Sequence, residues 1–161
     1  MKGLAFHCHH DNLFEYVTDY DERVKYIKNK KPKDEQELRL RLFKMIPDEM
    51  IPGKNSKEWK AYRKAGEADS KAMEAYDNAR KAYEEWEVYK EWAPYVKPGA
   101  DYHNAAKTYV QAWEPCVKAW ADYANARRDY GRLYVDELEE LHAKLCPGCP
   151  WDGETIFGGN K

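Results

Sequence analysis

No long hydrophobic run occurs in these 161 residues, and mean hydropathy is −0.99, so no stretch has the apolar length of a membrane span. A surplus of one charge is also missing: 27 Lys and Arg stand against 29 Asp and Glu, for a net charge of −2. The balance holds in the first third and in the remainder alike. A nucleic-acid or anionic-membrane surface built on charge excess is therefore not expected. The apolar run Gly3-Leu-Ala-Phe stops at His7, too short for a secretory leader. Glycine and proline are few, nine and eight, and no proline falls between Pro52 and Pro94. There are four cysteines. Without a leader they imply free thiols in a reducing compartment, and the expected location is cytoplasmic.

Charge and aromaticity are both plentiful. Charged residues make up 35% and aromatics 14% of the chain. High charge alone would suggest disorder, but six Trp and thirteen Tyr supply ample surface to bury. The length predicts one domain, with an elongated projection.

That projection is predicted from the stretch 59–92, where Ala61, Ala65, Ala68, Ala72, Ala75, Ala79 and Ala82 return in a four-three rhythm. Such a stripe faces a partner helix continuously, as in a coiled coil. A second block answers it: Ala105, Ala112, Ala119, Ala126 and Leu133 recur at seven, as do Tyr102, Tyr109, Cys116, Tyr123 and Tyr130. Few residues join the blocks, with Pro94, Pro98 and Gly99 marking a turn at 94–100, so the arms run antiparallel. Pro115 lies inside the second arm and predicts a kink. Alanine buries little area, so the neighbouring Tyr and Trp must cover the seam or present a patch to a partner.

Before the hairpin, residues 3–9 read as a strand with Leu4, Phe6 and Cys8 on one face and Ala5, His7 and His9 on the other. Asn12 with Glu15 suggests a helix start, followed by the stripe Leu13, Tyr16, Val17, Tyr20, Val24 and Ile27. A second helix is expected from Asp34 to about Ile46, with Leu38, Leu42 and Met45 inward. Asn55 and Ser56 are cap-type residues at the start of the first arm, and Glu58 is placed to complete a box from Asn55. After the second arm, residues 155–157 read as a short strand beside 4–7, and 158–161 as a loose end. The expected boundaries are 1–54 for a head, 55–145 for the hairpin, and 146–161 for a knuckle and strand that pack back on the head.

Cys146-Pro-Gly-Cys149 is a turn that aims two sulfurs the same way, half of a zinc site. His142 stands one helical turn before it. His7 and His9 lie in the strand that an antiparallel hairpin brings to the same end. Cys146, Cys149 and two of His142, His7 and His9 would make a closed tetrahedral zinc set of structural type. The bland alternative is two reduced cysteines near unrelated histidines. A redox motif fits poorly, because the CxxC follows a helix end instead of opening one. A hydrolase centre would need further ligands, and His103 falls at the far end of the hairpin. The basic run 25–33 is flanked by acidic residues and reads as a solvated helix end.

Gly3-Leu-Ala-Phe-His, His9-His-Asp11, Asp19-Tyr-Asp-Glu-Arg23, Glu37-Leu-Arg-Leu-Arg-Leu-Phe43, Cys149-Pro-Trp-Asp-Gly153 and Thr155-Ile-Phe157 together resemble a group of phage-type and metagenomic prokaryotic proteins. The group is similar also in carrying a run of Ala-Tyr heptads between these ends. It brings no activity, ligand or catalytic residue with it. Where the heptad number varies, the resemblance implies a spacer, with any chemistry in the head.

The sequence thus predicts a mainly α protein, a long antiparallel helical hairpin on a small α+β head with a two-stranded element. The expected function is a non-enzymatic interaction or scaffold module that self-associates or binds a protein through aromatic hairpin faces. The alternative is a small metal-dependent enzyme with a His/Cys site in the head.

Overall fold

A computed structural model describes residues 1–92 and 99–157. Most of the turn expected at 94–100 and the end at 158–161 lie outside the described residues. In chain order the elements are β1 (Gly3–Phe6), β2 (Phe14–Val17), α1 (Tyr20–Lys30), α2 (Lys33–Leu42), β3 (Lys44–Met45), a 3-10 turn at Asp48–Met50, α3 (Lys57–Trp92) and α4 (Ala100–Leu145). The chain is mainly α, with a small α+β head and a long helix pair. Its contacts divide it into two compact units, Met1–Gly66 with Ala126–Lys161, and Glu67–Asn125. The first and last turns of the long helices thus belong with the sheet, whereas the sequence reading drew the boundary at their ends.

In the first unit β1 is the central strand of an antiparallel sheet in the order β2-β1-β3. Leu4 pairs with Tyr16, Phe6 with Phe14, and Ala5 with both Glu15 and Met45. Two sequence expectations change here. Residues 14–17 form a strand and not the start of a helix, and α1 begins later, capped by Asp19, whose carboxylate accepts from the Glu22 N–H at 3.1 Å. The apolar residues at 13, 16 and 17 suit either period, and only pairing with β1 decides between them. The sheet has three strands, not two, and residues 155–157 add none. Both edges of β1 are already occupied, so the tail is held instead through Ile156 N–H to His10 C=O at 3.0 Å, with Ile156 buried.

One sheet face carries Ala5, Val17 and Met45, packed with Ile27, Leu40 and Phe43 of the α1–α2 layer. The other carries Leu4, Phe6, Phe14 and Tyr16 against an aromatic cluster. Phe14 meets Tyr62 and Tyr130 edge-on at 6.2 and 5.9 Å, and Tyr62 stacks on Tyr130 at 5.5 Å. The buried hydroxyls are satisfied: Tyr62 accepts from the Tyr16 N–H at 2.9 Å, and Tyr130 donates to Pro52 C=O at 2.8 Å. Of the two cap-type residues, Ser56 is the one seen to bond the start of α3, accepting from the Trp59 N–H at 3.0 Å.

In the second unit the helices run antiparallel, since Met73, Tyr76 and Tyr83 meet Cys116, Tyr109 and Tyr102 respectively. The seam of α3 keeps three alanines of the expected stripe and replaces the others by residues one position on. Ala65, Ala72 and the buried Ala79 alternate with Tyr62, Tyr76 and Tyr83 on the covered face, while Ala61, Ala68, Ala75 and Ala82 are exposed. On α4 the covered face alternates likewise through Tyr102, Ala105, Tyr109, Ala112, Cys116 and Ala119. Large and small side chains interdigitate, and tyrosyl rings fill the space that alanine leaves. The residue of α4 with non-helical angles is Tyr134 (φ −125°, ψ 19°), whereas the kink was expected at Pro115. Tyr134 lays its ring on Gly53, where an added β-carbon would come within 2.1 Å.

Candidate metal centre

β1 ends at Phe6 because His7 adopts a left-handed backbone, φ 51°, a conformation that costs a non-glycine residue on the order of 1 kcal/mol. The reversal resets the strand alternation. Cys8 turns into the core with Ala5 and Val17, and His7 and His9 do not share a face. His7 is fully buried beside Phe6, and its ring meets His142 at 4.8 Å and Trp151 at 5.4 Å.

His142 arrives from the last turn of α4 and packs edge-on to Phe6 at 5.2 Å. The helix then closes through Cys146 N–H to His142 C=O at 2.8 Å, and Lys44 of β3 donates to Leu145 C=O at 2.7 Å, a cation at the negative helix end. Gly148, φ 70°, makes the following turn, in which Cys149 N–H donates to Cys146 C=O at 3.1 Å. That turn carries the Cys149 thiol into the cluster.

Three donor atoms converge. His7 Nε2 lies 2.8 Å from His142 Nε2 and 3.3 Å from Cys149 Sγ, and all three fall within 4.8 Å of one another. Around a tetrahedral ion with M–N of about 2.0–2.1 Å and M–S of about 2.3 Å, such atoms stand roughly 3.3–3.6 Å apart. An opening of a few tenths of an ångström would admit the ion, so the donor set fits one. Burial lowers the His7 pKa to about 4, with the neighbouring His142 adding to the effect, and burial lowers His142 as well. Both rings are therefore neutral near pH 7 and offer lone pairs. Burial raises the Cys149 thiol, opposed by the Trp151 backbone and Arg41, so a metal would have to displace a proton there. His7 Nδ1 is buried without a hydrogen-bond partner among the described residues.

Of the five expected ligands, then, the fold brings His7, His142 and Cys149 together. Cys146 is buried and lines the same open hollow of about 470 Å³ as His142, Cys149 and Trp151, but its sulfur is outside the three-atom group. His9 Nδ1 instead bonds Glu15 Oε2. Glu15 is the residue that sequence reasoning missed, because it was placed in a helical cap. Buried in β2, it also accepts from Arg127 and Asn12, each at 3.3 Å. Read as the second strand of a hairpin, 14–17 would have set Glu15 opposite Ala5 of β1. With Cys8, this pair forms a second group of three donors within 4.8 Å, although burial pushes the Cys8 thiol up to about 12 and makes it a poor ligand.

Comparison with protein families, curated proteins and solved structures returned no significant match.

Proposed function

We propose that the chain is a non-enzymatic interaction or scaffold module whose head is fastened by a structural zinc ion. The observation that carries this reading is the convergence of His7, His142 and Cys149 from three parts of the chain, a strand end, a helix end and a turn. Cys146, which lines the same hollow, would be the fourth ligand of a site closed to water. Imidazole and thiolate are ligands that zinc prefers over harder cations. The four free cysteines suit a reducing compartment such as the cytoplasm.

A second reading, a metal-dependent enzyme, draws on the hollow beside His142 and Cys149 and on the His9–Glu15 pair. His9 is half exposed while its carboxylate partner is buried, the arrangement of an oriented proton-transfer group.

Cobalt substitution separates the two. Protein prepared without chelator and with reduced thiols should carry about one zinc per chain, and Cys149→Ser should lose it. The cobalt form should show a four-coordinate spectrum that azide leaves unchanged. A spectrum that shifts on adding azide would reveal an open position and favour the enzyme. Absence of bound metal would remove the zinc and the enzyme reading and leave the interaction module without its metal.

A further inference from the structure

In the second unit, α4 carries a second apolar stripe beside the seam it makes with α3, with Trp113 at the shared edge, its ring 5.4 Å from Tyr76. Val110, Trp113, Val117 and Trp120 recur at three, four and three residues, and are 68%, 55%, 44% and 60% exposed. The covered seam already contains Tyr109, Ala112, Cys116 and Ala119, so the stripe occupies a neighbouring face of the same helix. Apolar residues at this spacing make a ridge that packs along another helix.

We propose that this stripe binds the same stripe of a second copy of the chain, with the two helices antiparallel about a two-fold axis midway along 110–120. The proposal rests on the interaction-module reading and names its partner. The carrying observation is self-complementarity. An axis midway between Trp113 and Val117 sets Val110 opposite Trp120 and Trp113 opposite Val117, so each large side chain faces a small one. A parallel arrangement would set indole against indole and valine against valine. The intramolecular seam solves the same steric problem in the same way, with Tyr against Ala. An isologous contact of this kind closes as a dimer and leaves no open end.

The size of the patch sets the strength. The four side chains leave on the order of 400 Å² uncovered per copy, about half of what a standard interface buries on each partner. The dimer is therefore weak, with a dissociation constant in the micromolar range and not the nanomolar. One contact is unfavourable. Glu114 flanks the stripe next to the axis, so the antiparallel arrangement brings two Glu114 carboxylates near each other, and Glu114→Gln should tighten the dimer.

The test is sedimentation of the full zinc-loaded chain between about 1 and 100 micromolar. A concentration-dependent dimer is expected, lost in Val110→Lys and in Trp120→Lys, with helical circular dichroism and zinc content unchanged. Trp120 and Val110 are the two most exposed members, and Val110→Lys carries the test if Trp120→Lys disturbs folding. A mixture of Val110→Cys and Trp120→Cys chains should form a disulfide linking 110 to 120 on mild oxidation, identified by peptide mass. Wild-type protein that stays monomeric, a dimer indifferent to both lysine variants, or linkage of 110 to 110 without 110 to 120 would each overturn the proposal. Zinc content of the same samples reports separately on the structural metal.

Discussion

Gly53 has φ 55° and lies beneath the Tyr134 ring, so both its backbone and its missing side chain are required. Gly53→Ala should cost about 2–4 kcal/mol, adding left-handed strain to an overlap that the half-buried ring must shift to relieve. Gly148, φ 70°, has open space where a β-carbon would go, and Gly148→Ala should cost only about 1 kcal/mol. Denaturant midpoints of the two variants, measured with zinc present, check the contrast; equal losses would mean that the Tyr134 contact is dispensable. Tyr130 tests burial by pH. Burial raises its pKa above the ordinary 10, so between pH 10 and the higher folded value the native state keeps a proton that the unfolded chain has lost. Its contribution is full below pH 10 and declines as pH rises beyond it. Tyr130→Phe loses the bond to Pro52, about 1 kcal/mol at neutral pH, and should flatten the alkaline decline in unfolding free energy between pH 9 and 11. A variant whose decline matches wild type would exclude Tyr130 as its source.

Among the elements, the helix pair shows how little separates a seam from a surface. Ala75 and Ala79 are four residues apart on one apparent stripe, yet Ala79 is buried and Ala75 is exposed. Ala79→Leu should overpack the α3–α4 contact by about 1–3 kcal/mol. Ala75→Leu should stay within about 0.5 kcal/mol of wild type. Urea melts of the two variants measure this directly, and a larger loss at 75 than at 79 would place the seam on the other stripe. The sheet makes a related point. β2 was legible as an apolar segment but not as a strand, because it is short and its partner lies seven or more residues away across a loop whose turn depends on a left-handed histidine.

Across the whole molecule, the zinc reading predicts uneven stability. A small sheet with two short helices has limited core of its own, and a metal that binds only the folded head adds its binding free energy to folding. Stripping the metal, or Cys149→Ser, should therefore lower amide-exchange protection in Met1–Gly66 and Ala126–Lys161 much more than in Glu67–Asn125. Uniform loss across both units would indicate a single cooperative structure, and no loss would indicate that the knuckle is a turn holding two ordinary cysteines.

Local sequence was sufficient for the long helices, their antiparallel return and the meeting of the knuckle with a histidine from the end of the N-terminal strand. Periodicity over many turns averages out local ambiguity, and a tight connection leaves the chain one direction to go. What local sequence did not determine was which half of the alanine rhythm faces inward, Ala65, Ala72 and Ala79 or Ala61, Ala68, Ala75 and Ala82. Nor did it separate His7 from His9. Both suit a metal, and both lie in one short segment. The left-handed turn at His7, imposed where the strand ends and the loop returns to β2, sends one imidazole toward His142 and Cys149 and leaves the other with Glu15. Contacts between residues more than a hundred positions apart made that choice, and no local pattern encodes them.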